Sequence, residues 1–193
     1  VGLGRPDPQA AEILDQLPAA GPRACHLITT LEPAFADRLG ERSAGEWRIL
    51  EQPVSGGAQG ARSGRLTMLS AGPSTTADRD FLRSALAGEL ITFDSYGEPT
   101  RAKLLNNVTG AYHVLALAAM LRLARQHGIG PETLHRVLRH SSGASRMAGL
   151  VRQLDGALLA KDVALLQAEA GTLPVLCLED FLADLAEVRG LLG

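Results

Sequence analysis

Lys103 and Asn107 stand four residues apart in a run of helix formers, so a helix would carry both on one face, with Gly110 opening room one turn on. A cation early in a helix opposes the macrodipole, which makes the position a poor choice for stability alone. Partly desolvated there, the amine would hold its proton less tightly and could exchange it with a substrate hydroxyl, while the Asn107 amide orients that hydroxyl. An exposed lysine with no catalytic task fits the same spacing. Val54-Ser55-Gly56-Gly57 follows a predicted strand, and two successive glycines let backbone N–H groups converge into an anion nest. The Ser55 hydroxyl adds a donor suited to a carboxylate. A tight loop selected only for its turn reads the same way.

Other polar groups point to less. Lys161-Asp162, taken alone, reads as an exposed charge pair on a later helix. His113, His127, His135 and His140 fall on predicted helices and His26 in a strand, without Cys or carboxylate partners at metal spacing, so no metal site is expected. Cys25 and Cys177 match no redox or metal spacing and read as reduced thiols. Gly2-Leu3-Gly4 runs into Arg5-Pro6-Asp7-Pro8 with no third glycine, so the dinucleotide fingerprint is not met.

Elements of two kinds must position these residues. Alternating short strands and helices fill the first half: a short strand at the start, a helix over Pro8–Leu17, a strand over Ala24–Thr30, a helix over Pro33–Ala44 and a strand over Trp47–Leu50 with Val54. After the glycines at 56, 57, 60 and 64 come a strand over Arg65–Ser70, a helix over 75–87 and a strand over Glu89–Phe93. From Thr100 to His127 the chain reads as one long buried helix, followed by helices over Pro131–Arg139, Ser145–Leu154, Leu158–Glu169 and Leu176–Leu191. The predicted fold is therefore α/β followed by all-α, a partial Rossmann-like βαβ layer over residues 1–97 and a helical domain over 98–193.

Composition narrows the setting. Of 193 residues 46% are hydrophobic but only 4% aromatic, which favours helices built on Ala and Leu over a β-sandwich. A net charge of −2 leaves no cation excess for a phosphate backbone, so nucleic acid is not an expected partner. The apolar run between Asn107 and Arg122 is read as shorter than the ~18–20 residues of a membrane span, and the N-terminus has no signal-peptide pattern, so no membrane partner and a cytoplasmic location are expected. The apolar surplus of residues 104–124 predicts a homodimer through the helical domain.

In order along the chain, these pieces resemble the β-hydroxyacid dehydrogenase family, the relatives of 3-hydroxyisobutyrate dehydrogenase, tartronate semialdehyde reductase and 6-phosphogluconate dehydrogenase. Glu51-Gln52-Pro53-Val54-Ser55-Gly56-Gly57, with Gly60-Ala61 and Gly64-Arg65-Leu66-Thr67, is similar to that family's DAPVSGG…GA…GTL loop. Lys103-Leu104-Leu105-Asn106-Asn107 resembles its K-x-x-N-N motif, Ser141-Ser142-Gly143 its SSG segment, Lys161-Asp162-Val163 its K-D-L motif, and Thr29-Thr30-Leu31-Glu32-Pro33 its S-T-x-x-P turn. Glu51 stands for the usual Asp and Gln52 for the usual Ala, changes outside the Ser-Gly-Gly donors from which little effect is expected. The family's opening strand and GxGxxG turn do not precede Val1, so a truncated or partial chain is expected.

The resemblance implies reversible hydride transfer between a small 3-hydroxy acid and NAD or NADP. It makes Lys103 the proton-transfer residue with Asn107 beside it, Ser55, Gly56, Gly57 and Asn107 the substrate binders, and Thr30 and Lys161 the cofactor-side residues. Without the glycine turn, weak nicotinamide dinucleotide binding is expected of these 193 residues alone. The alternative is a homologue deprived of its cofactor site, acting as a carboxylate-binding module or as a non-redox lyase or isomerase through Lys103.

Overall fold

The structure is a computed structural model that describes residues 8–17, 23–42 and 47–192. The short opening strand, the Gly2-Leu3-Gly4 run and the Arg5-Pro6-Asp7 turn lie outside the described residues. Helix α1 (Pro8–Asp15) begins on a proline, whose fixed φ suits a first turn, and sends Ala10 and Leu14 into the core one turn apart. Strand β1 (Arg23–Leu27) is followed by α2 (Pro33–Asp37), α3 (Leu39–Arg42) and β2 (Trp47–Glu51), which pairs parallel with β1 from Arg23↔Trp47 to Leu27↔Glu51. Leu27, Leu31, Phe35, Leu39 and Ile49 close this first core with α1. The helix predicted as continuous over 33–44 is interrupted at Arg38.

Beyond Glu51 the chain departs from the predicted run to Val54. Pro53 has no N–H to give to a ladder, and the chain re-enters a sheet only at β3 (Val54–Ser55), antiparallel to β4 (Leu66–Ser70). The glycine-punctuated stretch between them, read as loop, holds α4 (Gly57–Arg62). Helix α5 (Thr76–Ala85) then leads to β5 (Ala87–Thr92), parallel to β4. A second core of Leu66, Met68, Leu82 and Ala87 lies beneath α5. The two sheets meet where the Glu51 and Ala71 backbones exchange a pair of 3.0 Å bonds.

Thr75 caps α5: its hydroxyl accepts from the Asp78 N–H at 3.2 Å while the Asp78 carboxylate accepts from the Thr75 N–H at 2.6 Å. The same carboxylate pairs with Arg48 of β2, which ties the cap to the other sheet. The Arg48 guanidinium holds Asp78 well below the usual carboxylate range.

Among the described residues no strand follows β5. The helical part comprises α6 (Glu98–Gln126), α7 (Pro131–Arg139), α8 (Arg146–Gly149), α9 (Gly156–Ala170) and α10 (Phe181–Leu191). The helix predicted over Ser145–Leu154 is the single turn α8 with a 3₁₀ turn at Val151–Gln153, and that predicted from Leu176 begins at Phe181 after another at Leu178–Asp180. Helix α9 lies along α6, burying Leu104, Val108 and Leu166. Gly110 leaves no open space, since a Cβ there would stand 2.4 Å from Met147 Cε of α8. Nor is α6 the buried helix expected. Only 22% of its most apolar stretch is buried, and by length and composition it is long and apolar enough to cross a membrane, which corrects the reading that its apolar run falls short.

The first turn of α6 is anchored to the α/β part. Gly97 caps it at φ 84°, in a niche where a Cβ would fall 2.0 Å from Asp37 Oδ1. Arg101 donates to Asp37 at 2.7 and 2.8 Å and to Glu169 of α9 at 2.6 Å, joining three helices. Glu51 accepts from the Gly97 N–H at 2.7 Å and the Thr100 N–H at 2.8 Å.

Candidate active site

Lys103 lies one turn past that anchored end, and its position follows from it. The side chain is only 9% exposed, and its Nζ donates to Ser55 Oγ at 3.3 Å across the junction of β3 and α6. Burial pushes the amine below the usual lysine range, while the nearby Asp162 carboxylate pulls it back up. This is the partly desolvated lysine that the sequence allowed, not a surface charge.

Ser55 ends β3 at the point where the chain turns into α4. Gly56 and Gly57 follow at φ 125° and 60°, conformations closed to most side chains, and nothing stands within 4 Å of the Cβ position of Gly57. The first-turn N–H groups of α4 have no intrahelical acceptors, so the Ser-Gly-Gly corner offers donors beside an amine. That combination can hold a carboxylate and trade a proton with a neighbouring hydroxyl.

Asn107, one turn beyond Lys103, donates through Nδ2 to Asp162 Oδ2 at 2.5 Å and accepts from Asn106 at 3.0 Å. Asp162 is 2% exposed, and its other oxygen is buried with no hydrogen-bond partner among the described residues. The expectation of an exposed Lys161-Asp162 pair is therefore wrong for the acid. Its burial had a signal in the sequence: Leu159, Asp162, Val163 and Leu166 follow the apolar stripe of α9, with an acid at a core position. Lys161, turned about 100° from it around the helix, is exposed and makes no hydrogen bond to the cluster.

Thr30 sits in the loop leaving the carboxyl end of β1, half-buried and likewise without a bond to Lys103 or Asn107. Nucleotides bind parallel α/β sheets at that end of the strands. No glycine turn for the pyrophosphate of such a ligand occurs among the described residues. Structure thus brings together Lys103, Ser55, Asn107 and Asp162, and leaves Thr30 and Lys161 apart from them.

Glu51 and Gln52, from which little was expected, are both fully buried. Besides the bonds of Glu51 to α6, Gln52 Nε2 donates to Ser70 Oγ at 3.1 Å and its Oε1 lies 2.7 Å from His26 Nδ1.

Comparison with known proteins finds similar sequences and a shared fold. Residues 20–83 match the NAD binding domain of 6-phosphogluconate dehydrogenase. L-threonate dehydrogenase of Cupriavidus necator is 34% identical over 121 residues, 61% of this chain and 41% of that protein. 3-Hydroxyisobutyrate dehydrogenase of Pseudomonas aeruginosa is 28% identical over 133 residues, 67% and 44% of the two chains. Among solved structures, 3-hydroxyisobutyrate dehydrogenase from Salmonella typhimurium superposes with a TM-score of 0.73 at 24% identity, over 87% of this chain and 65% of that one. The chain spans less than half the length of these curated relatives. This chain is thus similar in sequence to L-threonate and 3-hydroxyisobutyrate dehydrogenases over part of their length, and it shares its fold with a 3-hydroxyisobutyrate dehydrogenase.

Proposed function

We propose that the protein interconverts a small 3-hydroxy acid and its oxo form with NAD or NADP, the substrate side of the site being built from residues of this chain. The observation that carries the reading is the buried Lys103 amine held on Ser55 beside the Gly56-Gly57 corner. Ser55 and the N–H groups of Gly56 and Gly57 bind the substrate carboxylate, and Asn107 orients its hydroxyl. Lys103 takes the hydroxyl proton on oxidation and returns it on reduction, its lowered proton affinity suiting both directions. Asp162 fixes the Asn107 amide and steadies the charge that Lys103 acquires. A bound nicotinamide supplies the acceptor or donor of hydride; Thr30 would hold it at the strand end and Lys161 on the side of α9.

Lys103→Ala in the complete enzyme is expected to lower kcat by about 10²–10⁴-fold with cofactor affinity nearly unchanged, and Lys103→Arg to restore little. Steady-state kinetics with a small 3-hydroxy acid such as L-threonate, beside cofactor titration, test this. Wild-type turnover in Lys103→Ala would sink the assignment. The helical part is further proposed to pair with a second copy, which would cover the apolar residues that α6 leaves exposed.

A further inference from the structure

One fully buried ionisable group plays no part in that chemistry. Glu51 ends β2 with no solvent exposure, and among the described residues no Lys or Arg side chain bonds its carboxylate. A buried charge is costly unless hydrogen bonds answer it. Here the answering donors are the N-cap and third-position N–H groups of α6, which have no intrahelical acceptor, and the positive end of the helix faces the charge. The Glu51 backbone is itself fixed, paired with Leu27 on one side and bonded twice to Ala71 on the other. Ser55 comes four residues after Glu51 and Lys103 three residues after Thr100. Two contacts thus close one loop of structure, Glu51 to the first turn of α6 and Ser55 to Lys103.

We propose that Glu51 is a positioning residue, holding the first turn of α6 against the end of β2 so that Lys103 reaches Ser55; the role rests on the reading of Lys103 as the proton-transfer group. Glu51 touches neither substrate nor reacting atoms. A neutral amide at this position offers one acceptor in place of two and turns N–H donors toward N–H donors. The first turn then shifts and water reaches the amine, which raises its proton affinity because burial is what lowers it. Asp162 on α9 is the charged group that acts on the amine from the opposite side.

Lys103 and Lys161 are the two lysines of the sequence, so amine acylation reports on one with the exposed other as internal reference. Trace acetylation of the full chain with acetic anhydride across a pH series, read peptide by peptide by mass spectrometry, gives a reactivity midpoint for each. The Lys103 midpoint is expected below the ordinary lysine value of 10.5 in the parent chain. Glu51→Gln should raise it by about one pH unit, and Glu51→Asp, which keeps the charge but withdraws it by one methylene, by less. An unchanged Lys103 midpoint in a cooperatively melting Glu51→Gln chain, even with a lowered Tm, would show that Glu51 only stabilises the fold and would overturn the proposal. If Glu51→Gln does not fold, the midpoint in Glu51→Asp decides in the same way. Full turnover in Lys103→Ala together with a shifted midpoint in Glu51→Gln would instead defeat the catalytic reading and keep the positioning one.

Discussion

At the scale of single residues, the site holds a charge where folding would rather have none. The Lys103 amine is charged at neutral pH in the unfolded chain, and burial lowers its proton affinity in the fold. Below the folded value the cost of burying the charge is fully present. As pH rises from that value toward the ordinary lysine value of 10.5, the folded chain has already released the proton and the cost fades. Lys103→Met should therefore raise Tm at pH 7 by a few degrees, and the gain should shrink as pH approaches 10.5. Calorimetry at both pH values checks this, and a pH-independent loss on substitution would contradict it. Lys103, Asn107 and the Ser-Gly-Gly corner were legible because helix period and paired glycines are local signals. Glu51 was not, and of Asp162 only its burial was, since each is made important by a partner more than forty residues away: the start of α6 for one, Asn107 for the other.

At the scale of elements, the order of strands and helices was legible and their ends were not. The ends of β2 and α8, and the existence of α4, depend on pairing and packing that composition does not encode, such as the break in the strand at Pro53 and the seating of Met147 on Gly110. The cap of α5 shows how one pairing fixes an end, because Asp78 serves both Thr75 and Arg48. Its carboxylate is held below the ordinary value of 3.8, so the stabilisation is present above 3.8 and is lost progressively as pH falls below it toward the lowered folded value. Asp78→Asn should cost about 1–2 kcal/mol at pH 7, the range of a lost cap, and the variant and parent should converge in thermal stability as pH falls from 5 toward 2. A constant gap across that range would mean that ionisation of Asp78 contributes nothing.

At the scale of the molecule, α6 carries more apolar surface than its neighbours cover, with Leu115 63% and Leu123 45% exposed. Burying one such leucine is worth about 1.5–3 kcal/mol, so a second copy laid on this face gains affinity quickly. Sedimentation at micromolar concentration is expected to give twice the chain mass, and Leu115→Glu to weaken the association by at least tenfold. A monomer at that concentration would count against the pairing.

The anchorage of α6 has a mechanical side. Glu51, Gly97 and Arg101 grip its first turn, while 29 residues at 1.5 Å each carry the helix about 44 Å. For a rod of that length, a tilt of about 5° at the base corresponds to about 4 Å at the far tip. Along its length α7, α8 and α9 brace the rod, and the far end at Arg125 and Gln126 can move only as far as that packing yields.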